Sequence, residues 1–354
     1  MVRIPTATHT EALPTPEELY HAFPLDLKEQ QFITQARQTI RQIMQGEDSR
    51  LLVVMGPCSI HNISAAQEYA KRLRQLAQEV SDQLYLVMRV YLEKPRTQIG
   101  WKGLINDPHL DGTCKIATGL QQARELLQKL AAEKIPCATE FLDPMTPIYI
   151  GDLISWNAVG ARTVASQTHR QLASLLPMPS GFKNGLYGNL QMAIDAIISC
   201  STPHSIPSID FSGRPCIYHG KGNSDGHLIL RGGENSTNFD AQSVQVAIQA
   251  LKKHNIKSKI MVDCSHGNCQ KDWALQEGAF INVLEQVLGG EEQIGGIMLE
   301  SFLQAGAQKH DINKTMDPYI SITDPCLDWD SSERLIHHAA KTLRKSAKYL
   351  ACTS

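Results

Sequence analysis

The stretch LLVVMGPCSIHNISAAQEYAKRLRQLAQEVSDQLYLVMRVY, residues 51–91, reads as strand, helix, strand. LLVVMG (51–56) is a short continuous apolar run, the pattern of a strand buried on both faces. SAAQEYAKRLRQLAQEV (64–80) reads as a helix and LYLVMRVY (84–91) as the second strand. Outward from this unit the rhythm continues. A long loop leads to a helix through GLQQARELLQKLAAEK, then to strands at PCATEFL (136–142), AVGARTV (158–164) and PSGFKN (179–184), with a helix over 189–200. Three more strands, HLILRGG (227–233), KIMVDCSH (259–266) and GGIMLESFL (295–303), alternate with the helices AQSVQVAIQALKKH and ALQEGAFINVLEQVLGG. A helix through SSERLIHHAAKTLRKSAKYL closes the chain.

Eight strands alternating with helices predict an α/β fold, a (β/α)8 TIM barrel. HSIPSID (204–210) and RPCIYHG (214–220), joined through Ser212-Gly213, predict an inserted β-hairpin over about 203–220. The competing arrangement is an open doubly wound sheet, but no GxGxxG follows the first strand. Residues 1–48 read as an N-terminal helical extension outside the main core. In it Thr15-Pro16-Glu17-Glu18 opens a short helix, and QQFITQARQTIRQIMQG runs to a stop at Gly46. The catalytic barrel is then residues 49–354.

Composition narrows the class. The 354 residues are 42% apolar. At about 150 residues per domain this suggests two domains, but one α/β barrel absorbs about 250 or more. Lys plus Arg is 34 and Asp plus Glu is 36, a net charge of −2, which argues against a nucleic-acid binder held by bulk charge. No apolar run reaches the roughly 18 residues of a membrane helix, and MVRIPTATHTEALPTPEELY has no apolar signal core. The nine cysteines (Cys58, Cys114, Cys137, Cys200, Cys216, Cys264, Cys269, Cys326, Cys352) are scattered and form no CxxC pair. That is a reduced pattern, so a cytoplasmic enzyme with no nucleic-acid or membrane partner is expected.

In a barrel, side chains at the C-terminal ends of the strands build the active site. The first strand leads into Gly56-Pro57-Cys58-Ser59, and the second carries Arg89 and runs on to Lys94-Pro95-Arg96-Thr97. The others end at Glu140, Arg162, Lys183, Arg231, Asp263 with His266, and Glu300. Charges embedded in apolar runs are costly unless paired or liganded. Any one of them reads equally well as a structural ion pair; the set, converging on one face, reads as a site. Arg89, Lys94, Arg96, Arg162, Lys183 and Arg231 point to anionic, phosphorylated ligands, and six cations suit two such substrates. Cys58, His266, Glu300 and Asp324 offer sulfur, nitrogen and oxygen donors for a divalent ion. Their spacing has no local signature, so from the residues alone a metal site and a set of structural residues both stand.

The segments GPCSIH, MRVYLEKPRTQIGWKGLINDPHLDG, GART, GFKNG, ILRGG, VDCSHGN, MLESFL and SITDPC resemble the type I 3-deoxy-D-arabino-heptulosonate 7-phosphate (DAHP) synthases of the shikimate pathway. The likeness runs from about residue 20 to near the end, and EKPRTQIGWKG is its most specific part. It implies a transferase that condenses phosphoenolpyruvate with erythrose 4-phosphate and water to give DAHP and phosphate. By motif match, Cys58, His266, Glu300 and Asp324 would bind one divalent metal ion (Mn, Fe, Co or Zn). Arg89, Lys94, Glu140, Ala161, Arg162, Lys183 and Arg231 would surround phosphoenolpyruvate, and Lys94, Pro95, Arg96 and Thr97 the aldose phosphate. Lys94, Cys58 and His266 would carry the catalysis, with Lys94 or metal-bound water delivering a proton to the aldehyde oxygen.

The resemblance also implies a homodimer or homotetramer and an aromatic amino acid effector near the N-terminal arm, DPMTPIY and LLPMPSGF. The chain departs from the familiar pattern at Val164-Ala165, at His61 and at Pro177. Two other readings compete: a metal-dependent phosphohydrolase, which lacks a dense His/Asp cluster for two metals, and a non-catalytic sensor, which the intact catalytic positions argue against.

Overall fold

The computed structural model describes the backbone of residues 9–353 and the side chains of residues 9–346. Cys352 and the first eight residues lie outside the described side chains. Helix α1 (Pro16–Ala22) and helix α2 (Leu27–Gln45) each start on a reciprocal capping box, Thr15 with Glu18 and Asp26 with Glu29. Gly46, at φ 82°, ends α2 in the left-handed conformation that glycine adopts without strain.

The barrel begins with β1 (Leu51–Gly56), α3 (Ile63–Val80), β2 (Leu84–Arg89), α4 (Ile116–Ala132) and β3 (Cys137–Glu140). Then come α5 (Thr146–Ile150), a short 3-10 turn (Gly151–Leu153), β4 (Trp156–Val159), α6 (Gln167–Leu175), β5 (Ser180–Lys183) and α7 (Gln191–Cys200). The hairpin strands are β6 (His204–Ile209) and β7 (Pro215–Gly220), an antiparallel pair outside the barrel, as expected from the sequence. The chain ends with β8 (Gly226–Leu230), α8 (Ala241–Lys253), β9 (Ile260–Asp263), α9 (Leu275–Leu288), β10 (Ile294–Glu300) and α10 (Trp329–Thr353). The eight barrel strands close in the order β1-β10-β9-β8-β5-β4-β3-β2. Parallel pairing of β1 with β10, Leu52 opposite Gly296 through Gly56 opposite Glu300, makes the closure and excludes the open sheet.

Strand alternation explains why one end of the barrel is chemical. Leu52, Val54, Val87, Ala138, Trp156, Ala158, Ile229, Met261 and Met298 pack together as the interior cluster. Continuing each strand by two residues at a time reaches Arg89, Glu140, Gly160, Arg231, Asp263 and Glu300. The same inward face is thus mainly apolar at the bottom, with His227 paired to Trp156 as the exception, and polar at the top.

Three differences from the sequence reading matter. The fourth strand is Trp156–Val159, not 158–164, so the GART residues form a turn beyond it and Arg162 is exposed. Arg231 and His266 likewise follow their strands rather than ending them. Helix α2 sends Ile40, Ile43 and Met44 into the interior cluster, closing the lower end of the barrel instead of lying outside the core. Helix α1, by contrast, rests on the hairpin: Glu17 N–H donates to Phe211 O at 3.0 Å, and Tyr20 meets the Phe211 ring edge-on.

Candidate active site

The upper end of the barrel holds a cavity of about 350 Å³. Its lining includes most of the expected substrate residues: Lys94, Pro95, Arg96, Thr97, Glu140, Ala161, Arg162, Lys183 and Arg231, with His266 and Asp324. Arg89, Cys58 and Glu300 lie beneath it, each almost wholly buried. A larger cavity of about 580 Å³ lies at the other end, between α2, α7 and the loop after α8, away from every one of these residues.

Below the floor the charges interlock. Arg89 Nη2 donates to Glu300 Oε1 at 2.9 Å and its guanidinium stacks on the Tyr91 ring at 3.8 Å. Lys94 Nζ lies 3.0 Å from Cys58 Sγ and 3.2 Å from Cys58 O. Cys58 Sγ also lies 3.6 Å from Asp324 Oδ2 and 3.3 Å from the Asp324 backbone N–H, which donates to it. Burial, reinforced by Glu300, pushes the Cys58 thiol up to about 12 against the pull of Lys94. Burial pushes Asp324 upward too, but there Lys94 and His266 win and hold it at about 2.

A second chain of contacts runs from β5 to the His266 loop. Lys183 Nζ donates to Asp263 Oδ2 at 2.8 Å, and His266 Nδ1 lies 2.8 Å from the same oxygen. Ser265 donates its hydroxyl and its N–H to Asp263 Oδ1. Burial alone would raise Asp263, yet His266 and Lys183 hold its carboxyl well below the usual range. With Nδ1 engaged, His266 presents Nε2 to Glu300 Oε1, 3.6 Å away.

Cys58, Glu300 and Asp324 bring donor atoms within 4.8 Å of one another, a group that could hold a metal ion. His266 adjoins it through Glu300 rather than sharing the cluster. The donor chemistry fits a divalent transition metal: one soft sulfur, two carboxylates, and an imidazole oriented by a buried carboxylate on its other nitrogen.

Nearer the mouth, Arg96 Nε donates to Trp101 O at 2.8 Å, and Arg162 Nε donates to Thr97 Oγ1 at 3.0 Å. Arg162 is therefore tied to the KPRT loop at the rim of the cavity. Glu140 Oε1 is buried with no hydrogen bond among the described residues.

Some neighbours escaped sequence reading. Asp263 was visible as a strand-end acid, but its partner Lys183 is 80 residues away. Tyr91 supports Arg89, and period-two counting along Val87, Arg89 and Tyr91 would have placed it inward. Lys271 lines the cavity from a polar loop that carries no pattern.

A family model described as the DAHP synthetase I family matches residues 23–337. A Tyr-sensitive phospho-2-dehydro-3-deoxyheptonate aldolase of Escherichia coli strain K12 is 46% identical over 337 residues, 95% of this chain and 94% of the relative. A Trp-sensitive counterpart from the same strain is 45% identical over 333 residues, 94% of this chain and 95% of the relative. The solved structure of a phospho-2-dehydro-3-deoxyheptonate aldolase from Francisella tularensis SCHU S4 matches with a TM-score of 0.92 at 43% identity, covering 96% of this chain and 99% of that one.

Proposed function

The chain belongs to the DAHP synthetase I family, and we propose that at the upper end of its barrel it condenses phosphoenolpyruvate with erythrose 4-phosphate and water, with the help of a divalent metal ion. The observation that carries this reading is the placement of the Cys58, Glu300 and Asp324 donors directly beneath a cavity walled by cations.

Lys183 and Arg231, with Arg162 at the rim, hold the phosphate and carboxylate of phosphoenolpyruvate, so that its nucleophilic C3 faces the second substrate. Such fixing of two reactants supplies several kcal/mol of the barrier, on the order of 7 or more when alignment is good. Lys94 stands where the aldehyde oxygen becomes an alkoxide. Burial disfavours its ammonium, but the neighbouring Asp324 and Glu300 carboxylates keep the proton on, and it is the residue that gives that proton to the oxygen. Water adds at C2, and the C2–O bond to phosphate breaks. Cys58, Glu300, Asp324 and His266 hold the metal, which when bound polarises the aldehyde carbonyl. Manganese, iron, cobalt and zinc all suit this donor set.

The wider reading follows the relatives, whose names describe Tyr and Trp sensitivity. An aromatic amino acid is the proposed effector, residues 1–48 a regulatory and subunit contact, the working form a homodimer or homotetramer, and the location cytoplasmic. Among the described residues no helix is long and apolar enough to cross a membrane.

Phosphate release from phosphoenolpyruvate, measured with and without erythrose 4-phosphate, tests the reaction. Release that requires the aldose phosphate, with one DAHP formed per phosphate, is expected. Equal release without it would make the protein a phosphohydrolase.

A further inference from the structure

The cavity above the Cys58 cluster opens into a second, outer chamber of about 650 Å³ bounded by Tyr187, Glu234 and Gln270. Thr97, Arg162, Arg231, His266 and Lys271 line both chambers and so form the passage between them. Lys271 is the one cation of this passage that the family motifs do not cover. We propose that Lys271 is a further substrate-binding residue, whose ammonium grips the phosphate of the incoming aldose phosphate where the outer chamber meets the inner one. The inference rests on the condensation proposed above.

The cations already assigned leave a place for it. Lys183 is engaged by Asp263 and Lys94 by Cys58. At the rim, Arg96 Nε is given to Trp101 O and Arg162 Nε to Thr97. The Lys271 ammonium makes no hydrogen bond or ion pair among the described residues, although its charge is felt at Asp324. A second phosphorylated substrate brings a dianion to this passage, and Lys271 adds a cation without a protein partner among the described residues to the Nη groups that Arg96 and Arg162 keep free.

The loop that carries Lys271 is also built to fix it. Gln270 (φ 52°) and Lys271 (φ 65°) are consecutive left-handed residues, a conformation that side chains other than glycine adopt reluctantly. Lys271 N–H donates to His266 O at 3.2 Å, and Gly267 N–H donates to Arg231 O at 3.0 Å. Gly267 packs so closely on the Gly232-Gly233 backbone that a Cβ there would lie 2.4 Å from Gly233 O. Lys271 is thereby tied to His266, and the loop that carries both is pinned to Arg231 through Gly267. A lysine there carries a backbone cost that glycine would not, and the contacts of the loop sustain it.

Steady-state kinetics of the holoenzyme and its Lys271→Met, Lys271→Arg and Lys271→Gly variants test this. Loss of one solvent-accessible charge-assisted hydrogen bond should raise the KM for erythrose 4-phosphate about tenfold in Lys271→Met. The KM for phosphoenolpyruvate should stay at the wild-type value. Erythritol 4-phosphate, which keeps the phosphate but lacks the aldehyde, should weaken as a competitive inhibitor by the same factor, while Lys271→Arg restores most of both. Lys271→Gly relieves the left-handed strain, so it should melt no lower than wild type and show the same kinetic loss. An unchanged KM for the aldose phosphate, an unchanged inhibition by erythritol 4-phosphate, or an equal rise in the KM for phosphoenolpyruvate would overturn the assignment. If the wild type makes no DAHP, the functional reading itself fails; if it does and Lys271→Met behaves as wild type, this inference alone fails.

Discussion

A Cβ placed on Gly160 would lie 2.0 Å from Oε1 of Glu140. The two residues top adjacent strands, and the missing side chain of one is the space occupied by the carboxylate of the other. That oxygen is buried and lacks a hydrogen bond among the described residues, and Glu140 is one of the residues that line the cavity.

Gly160→Ala should drive the Glu140 carboxylate into the cavity. We expect kcat/KM to fall about 100-fold, the scale of a misplacement near 1 Å. Thermal stability should change little, because the displaced atom ends a flexible side chain. In a Glu140→Ala background the same substitution should cost nothing further; independent, additive losses in the double variant would contradict the coupling.

Asp263 orients His266 and holds Lys183, so its charge serves both halves of the site. Asp263→Asn should weaken metal affinity about 10- to 100-fold and raise the KM for phosphoenolpyruvate. Titration of the variant with Mn²⁺, alongside kinetics, checks both effects. Wild-type metal affinity would show that His266 needs no partner on Nδ1.

The rim arginines should separate the two substrates, though not cleanly. Arg96→Ala should raise the KM for erythrose 4-phosphate roughly 10- to 200-fold, the cost of a charge-assisted hydrogen bond, with little effect on phosphoenolpyruvate. Arg162→Ala should act mainly on phosphoenolpyruvate. Because Arg162 also donates to Thr97, it should carry a smaller penalty for the aldose phosphate. An Arg162→Ala variant with an unchanged KM for the aldose phosphate would break that link.

The barrel was legible because most of its strands are short apolar runs and all are buried on both faces, and the site because polar residues interrupt those runs at one end. What was lost lay either in short local turns without a period or in contacts between distant segments. Val159 to Val164 keeps strand-like composition, but the chain turns at Gly160, where Thr163 and Val164 N–H both donate to Gly160 O. That local turn moves Arg162 outward. Helix α2 has the apolar stripe of any surface helix, and nothing local says that Ile40 and Ile43 plug a barrel. Helix α5 is five residues long with Pro147 in its first turn, too short to show a period. The four metal-ligand candidates were identified by motif; their closeness depends on β1, β9, β10 and the loop before α10 meeting at one end.

Stability should fall on acidification through one interior residue. His227 is fully buried, accepts from Trp156 Nε1 at 3.1 Å, and is pushed down to about 4 by burial. Above about pH 6.5 the imidazole is neutral in both folded and unfolded chains. Below it the unfolded chain takes up a proton that the folded one refuses until about pH 4, so stability drops by about 3 kcal/mol across that window. His227→Gln keeps an acceptor for Trp156 but has no such titration. Its melting temperature should fall less steeply between pH 6.5 and 4; an identical slope would place the titration elsewhere.

The central claim is that condensation takes place at the Cys58, His266, Glu300 and Asp324 centre. Metal content and DAHP formation, measured side by side on purified wild type and Cys58→Ala, test it most directly. The account predicts about one tightly held divalent ion per wild-type chain, and loss of both the ion and nearly all turnover in a Cys58→Ala protein that remains folded. A Cys58→Ala variant with wild-type metal content and wild-type rate would contradict it.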